Sequence, residues 1–219
     1  LGVRKIRVTG GEPLIRRGVH ELFEGLGALA GLDSLALTTN GSRLTDSGHA
    51  LRDAGVNSIN ISLDSLQAER FKAITRIGDL NTVLRGIDRA VECGFDRIRL
   101  NAVILDGLNR DEVLPLTNYA LEKSIHIAFI EEMPLGQVNV GGKPLAYVSS
   151  DTLQKELAEH FTLVPMTASD TAGPARDFLI AGSQTKVGFI SPHSHNFCAQ
   201  CNRLRISAEG RLLMCLGNE

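Results

Sequence analysis

The sequence predicts a parallel α/β fold built from βα units, followed by a small irregular C-terminal region. Three observations predict it. Short β-branched runs alternate with longer stretches at helical spacing. Glycines stand just past the helical stretches, directly before the next run. After Met133 the pattern breaks into Gly-, Pro- and Ser-rich pieces.

Five strands are expected in order. "KIRVTGG" (Lys5 to Gly11) reads as a strand and then a loop. "SLALTTNG" (Ser34 to Gly41), "SINISLDS" (Ser58 to Ser65), "RIRLNAVIL" (Arg97 to Leu105) and "HIAFIEEM" (His126 to Met133) follow. Helical spacing places helices over Val19 to Leu29, Leu44 to Ala54, Asn81 to Cys93 and Asp111 to Lys123. Gly55 and Gly94 each sit where a helix needs a left-handed cap, with Val56 and Ile59, or Phe95 and Ile98, following at fixed offsets. Gly2, Val3 and Ile6 repeat those offsets, so a further βα unit is expected upstream of Leu1. After Met133, "PLGQVNVGGKPLAYVSS" reads as a linker, and Asp151 to Phe161 has helical spacing. From Thr162 a short, irregular, partly antiparallel layer is expected, with a hairpin of "RLRIS", "AEG" and "RLLMC" turning at Gly210.

Composition narrows the function classes. The 219 residues are 43% hydrophobic and 22% charged, ordinary for a globular protein. A net charge of -2 gives no reason to expect nucleic-acid binding, and no apolar run is long enough for a membrane span. Four cysteines in a chain this long do not form a disulfide framework; a reducing cytoplasm and metal binding are expected.

Chemistry is expected at the carboxyl ends of the strands, where parallel α/β folds place their sites. In "TGGEP", Gly10 and Gly11 let a ligand approach the backbone and permit positive φ, while Glu12 can accept from an ammonium group. The alternative is a structural turn. Thr38, Thr39, Asn40, Ser62, Asp64, Ser65, Asn101, Glu131 and Glu132 make the other strand ends polar, which suits a shared pocket as well as caps and turns. Cys198, Cys201 and Cys215 are spaced C-x2-C-x13-C. Zinc, with His193 or His195 as fourth ligand, and a 4Fe-4S cluster with one open iron both fit that spacing. Arg203 and Arg205 alternate beside the thiolates, as an anion clamp or as the charges of a solvated edge strand. Cys93 reads as a small buried residue.

"KIRVTGGEPLIRR", "TTNG", "NISLDSL", "NAVILDGLN", "FIEEMPLG", "GPARDF" and "GFISPHSHNFCAQCNRLRISAEGRLLMCL" together resemble the GTP 3',8-cyclase family of molybdenum cofactor biosynthesis, radical S-adenosylmethionine (SAM) enzymes, over essentially the whole chain. The resemblance implies an incomplete parallel (βα) barrel over residues 1–134, a linker over 135–150, and a region over 151–219 that binds an auxiliary 4Fe-4S cluster and GTP. It implies Cys198, Cys201 and Cys215 as that cluster's ligands. Lys5, Arg7, Thr38, Arg99, Arg203, Leu204 and Arg205 become GTP contacts, with Arg99 where the family usually has lysine. Gly10, Gly11, Glu12, Ser62 and Met133 become S-adenosylmethionine contacts.

The family's first cluster uses C-x3-C-x2-C near its N-terminus, and a two-glycine tail closes the family's chain. Neither pattern is in these residues, so the chain as given is expected to be inactive alone, with a second 4Fe-4S cluster only in a longer protein. A cyclic pyranopterin monophosphate synthase is implied downstream. The oligomeric state stays open, a homodimer being the family's habit. The rival readings are another radical S-adenosylmethionine enzyme with an auxiliary cluster and a non-catalytic zinc-binding α/β protein.

Overall fold

The computed structural model describes residues 2–133, 139–140, 143–144, 146–167, 173–195 and 201–214. Strands β1 (Lys5–Val8), β2 (Ser34–Thr39), β3 (Ser58–Ser62), β4 (Arg97–Asp106) and β5 (His126–Glu131) form consecutive parallel pairs. Helices α1 (Val19–Gly27), α2 (Leu44–Asp53), α3 (Ala68–Thr75), α4 (Leu80–Glu92) and α5 (Val113–Glu122) lie between them in sequence. Of these, α3 is unanticipated: it buries Phe71 alone, so its apolar periodicity is too thin to read. Gly55 (φ +88°) and Gly94 (φ +67°) take the expected left-handed conformation after α2 and α4.

Short pieces β6 (Asn139–Val140), β7 (Lys143–Pro144) and β8 (Ala146–Tyr147) follow, β8 pairing antiparallel with the end of β4. Helix α6 (Ser150–Ala158) starts with the Ser149 hydroxyl accepting from the Thr152 amide. The remaining strands are β9 (Leu163–Pro165), β10 (Arg176–Ile180), β11 (Lys186–Ile190), β12 (Arg205–Ile206) and β13 (Leu212–Leu213). The segment after Thr162 is antiparallel in part, as expected, but β9 to β11 do not form a separate layer. Strand β11 pairs parallel with β5, and β10 and β9 continue the sheet antiparallel. "KVGFI" explains this: Val187, Gly188 and Phe189 are all buried, as in an interior strand.

Register divides the sheet into two faces. Leu35, Leu37, Ile59, Ile61, Ile98, Leu100, Ala102, Ile127, Phe129, Val187 and Phe189 face one way and are buried. They share one core with Phe23, Leu44, Leu51, Val83, Ile87, Leu116, Leu153 and Leu157 of the helices. Phe129, Phe189 and Phe178 tie β5, β11 and β10 together, with ring centroids 6.3 and 5.8 Å apart.

Loop rigidity comes from buried polar groups. Asn109, fully buried, donates to the carbonyls of Asp64 and Val103 and accepts from the Leu105 amide. Glu112 accepts from the Leu66 amide, from Arg70 and from Ser65. These bonds pin the turn after β3 to the far end of β4.

Candidate functional site

The sheet's second face is polar. The register rows Arg7–Ala36–Ser58–Arg97, Thr38–Asn60–Arg99–His126 and Ser62–Asn101–Ala128–Gly188–Asp177 run across it. The odd-numbered positions of "KIR" in β1 and "RIR" in β4 therefore put Lys5, Arg7, Arg97 and Arg99 on one surface.

Their mutual repulsion is legible in their acidities. Burial, then the charges of Arg7, Arg97 and Arg99, lower the Lys5 ammonium. Burial, then Arg99 and Arg203, lower Arg7, so the arginine ahead of β12 lies within electrostatic range of β1. Burial, then Arg99, brings Arg97 down to about 10 despite Asp177. His126 falls to about 4 through burial and the same arginines, and its Nδ1 accepts from the Lys186 amide. Four cations thus share one partly buried surface with a single carboxylate, Asp177, a charge balance that suits a polyanion.

Arg7 Nη1 donates to the Thr38 hydroxyl at 3.1 Å, joining two of the anticipated residues. Arg99, 4% exposed, donates to Asp177 at 2.7 Å. Ser58 Oγ, Arg99 Nε and Asn101 Oδ1 on the same face are buried and have no hydrogen-bond partner among the described residues.

Gly10 and Gly11 are exposed at the end of β1. Neither has positive φ, which the sequence allowed, and among the described residues a Cβ on either would meet nothing within 4 Å. Glu12 caps the turn of Pro13–Ile15: its Oε1 accepts from Leu14 and Thr39, and its Oε2 from Asn40. Oε2 keeps one acceptor position. Exposed Ser62 ends β3, and half-buried Met133 lies two residues past β5.

The C-terminal hairpin β12–β13 forms as anticipated, pairing Arg205 with Leu213 around a turn at Gly210. Arg203 and Leu204 precede the strand and are exposed. Cys198 and Cys215 lie outside the described residues. Cys201 is exposed, and the Arg203 amide, then the Arg203 charge, hold its thiol below the usual range. That favours the thiolate, the form that ligates metal.

Sequence reasoning missed Arg97, His126, Asp177 and Gly188. The alternation of "RIR" signals Arg97, by the same rule that pairs Arg203 with Arg205. Asp177 meets Arg99 only across three strand boundaries, which no local pattern reveals.

The family model of the radical SAM superfamily matches residues 1–120, more than half of the chain. The chain belongs to the radical SAM superfamily. A second model, Molybdenum Cofactor Synthesis C, matches residues 125–219. The chain is 53% identical over 219 residues to the GTP 3',8-cyclase of Saccharophagus degradans. It is 55% identical over 220 residues to that of Pseudomonas entomophila. All of this chain is covered in both comparisons, and 66% of each relative's length. Among solved structures, Streptococcus suis SuiB bound to S-adenosylmethionine matches with a TM-score of 0.66 at 13% identity, over 97% of this chain and 49% of that one. TYW1 with a lysine-pyruvate adduct bound matches at 0.52 and 17%, over 77% and 54%. Among the described residues no helix is long and apolar enough to cross a membrane.

Proposed function

We propose that this chain is part of a GTP 3',8-cyclase of molybdenum cofactor biosynthesis. It would cyclise GTP to (8S)-3',8-cyclo-7,8-dihydroguanosine 5'-triphosphate, which a cyclic pyranopterin monophosphate synthase would consume. The observation that carries the reading is the convergence of Lys5, Arg7, Arg97 and Arg99 on one sheet face, with the Arg203 charge felt at Arg7. A peptide or a neutral nucleoside gives no reason for such a concentration of cations; a triphosphate does.

In this reading Arg7, oriented by Thr38, and Arg99 hold phosphates together with Lys5. Arg203 and Arg205 approach from the hairpin, and Leu204 packs beside them. Gly10, Gly11 and Glu12 line the approach of S-adenosylmethionine, with Ser62 and Met133 on neighbouring strand ends. The open space over Gly10 and Gly11 among the described residues supports this, because a ligand could approach the backbone there. Glu12 stiffens the loop and keeps one lone pair for an ammonium group.

Cys198, Cys201 and Cys215 would hold a 4Fe-4S cluster, and the lowered pKa of the Cys201 thiol fits that role. With S-adenosylmethionine and reducing iron–sulfur chemistry bound, a radical able to abstract hydrogen would become available. This chain's residues orient the nucleotide and shield the reacting face.

Equilibrium dialysis of GTP against the anaerobically reconstituted protein tests the reading. Arg203→Ala and Arg205→Ala should each weaken GTP at least about tenfold, the scale of a lost charge-assisted contact. GTP affinity indifferent to both changes would remove the hairpin from the site and favour another radical SAM activity.

A further inference from the structure

Arg99 carries five donors, and something must aim them. Its Nη2 donates to Asp177 Oδ1 at 2.7 Å, from β4 across β5 and β11 to β10. Arg99 stands opposite His126 on β5, one row away from Asp177, whose own row crosses β11 and β5 at the small residues Gly188 and Ala128. A Cβ on Gly188 would stand 2.5 Å from Asp177 Oδ1, 3.2 Å from the Ala175 Cβ and 3.3 Å from Arg99 Nη1. The ion pair therefore lies directly over Gly188. The other Asp177 oxygen is 3.8 Å from Arg97 Nη2, so one carboxylate faces both cations of "RIR".

A carboxylate here is costly for a surface that takes polyanions, since it cancels charge. Its geometric effect is different: it fixes a flexible guanidinium that is otherwise repelled by Lys5, Arg7 and Arg97. We propose that Asp177 and Gly188 are positioning residues. Asp177 holds one edge of the Arg99 guanidinium so that its remaining donors are set for phosphate oxygens, and Gly188 keeps the space that the pair occupies. This rests on the nucleotide reading above.

The two effects of Asp177 have opposite signs, which makes the test decisive. GTP is the probe, with guanosine as the phosphate-free control, both measured by equilibrium dialysis. Thermal unfolding is followed alongside. Asp177→Asn should weaken GTP about tenfold although it removes a negative charge. Gly188→Ala, which leaves charge unchanged, should weaken GTP by a similar factor. Neither should alter guanosine binding, and neither should add to the loss in Arg99→Ala. Asp177→Asn binding GTP as well as, or tighter than, the parent, while Arg99→Ala loses it, overturns the positioning role and leaves the nucleotide reading standing. An Arg99→Ala chain that binds GTP normally overturns the positioning role alone, and a parent chain that binds no GTP overturns both.

Discussion

Glu131 offers the sharpest prediction about how the second half of the chain is held. It ends β5 and is 2% exposed. Its Oε1 accepts from the Ser150 amide at 2.7 Å and the Ser194 hydroxyl at 2.5 Å, and its Oε2 from the amides of His193 and Ser194 at 3.1 Å. One carboxylate thus joins β5, the start of α6 and the segment leading to the cysteines. Burial disfavours its charge, but these donors win and hold the carboxyl at about 2, from 4.5. At about 1.4 kcal/mol per pH unit, that preference is worth about 3 kcal/mol. Glu131→Gln keeps the shape but points an amide NH2 at N–H donors, so it should cost about 3 kcal/mol at neutral pH. Urea unfolding at several pH values measures it. Because the folded value lies below the unfolded one, the stabilisation is complete above about pH 4.5 and fades as pH falls toward 2. Hydrogen exchange should accelerate at 193 and 194 in the variant. A loss under about 1 kcal/mol at pH 7, or one that does not shrink in acid, would refute the account.

Other expectations follow from single contacts. Gly86→Ala would place a Cβ 2.2 Å from the Gly41 carbonyl, backbone that cannot yield, so α4 should shift and stability should drop by about 1–3 kcal/mol in denaturant titration. Phe129→Ala should cost about 3–5 kcal/mol, because it opens a void beside Phe189 at the β5–β11 seam. His126 should stay neutral in NMR titration until about pH 4; since the unfolded ring protonates near 6.5, its contribution to stability is lost as pH falls between those values. Anaerobic reconstitution should yield about four irons per chain, and Cys201→Ala should abolish them; zinc in their place would favour the structural-metal reading.

Much of the fold was readable because parallel βα units announce themselves locally. Alternation marks β1 to β5, and the glycines after α2 and α4 punctuate them. Helix α3 escaped because "AERFKAIT" packs through a single phenylalanine. The placement of β11 beside β5 was not legible either: it is a pairing between residues 60 apart, decided by which strand can be buried on both faces. Lys5, Arg7, Thr38 and Arg99 were named from the sequence, and register explains why they share a face. Asp177 and Gly188 were not, because their relevance exists only once β10 and β11 have joined the sheet. Glu12 was anticipated as a ligand contact; its hydrogen bonds tie the loop to the end of β2.

The central claim is that the cationic face takes a triphosphate. Its most direct measurement is the 31P NMR spectrum of GTP titrated with the reconstituted chain and with Arg7→Ala and Arg99→Ala. The account predicts phosphorus shifts that saturate with the parent chain and are weakened at least about tenfold in each variant. Phosphorus resonances unmoved by the parent, or moved equally by all three proteins, would contradict it.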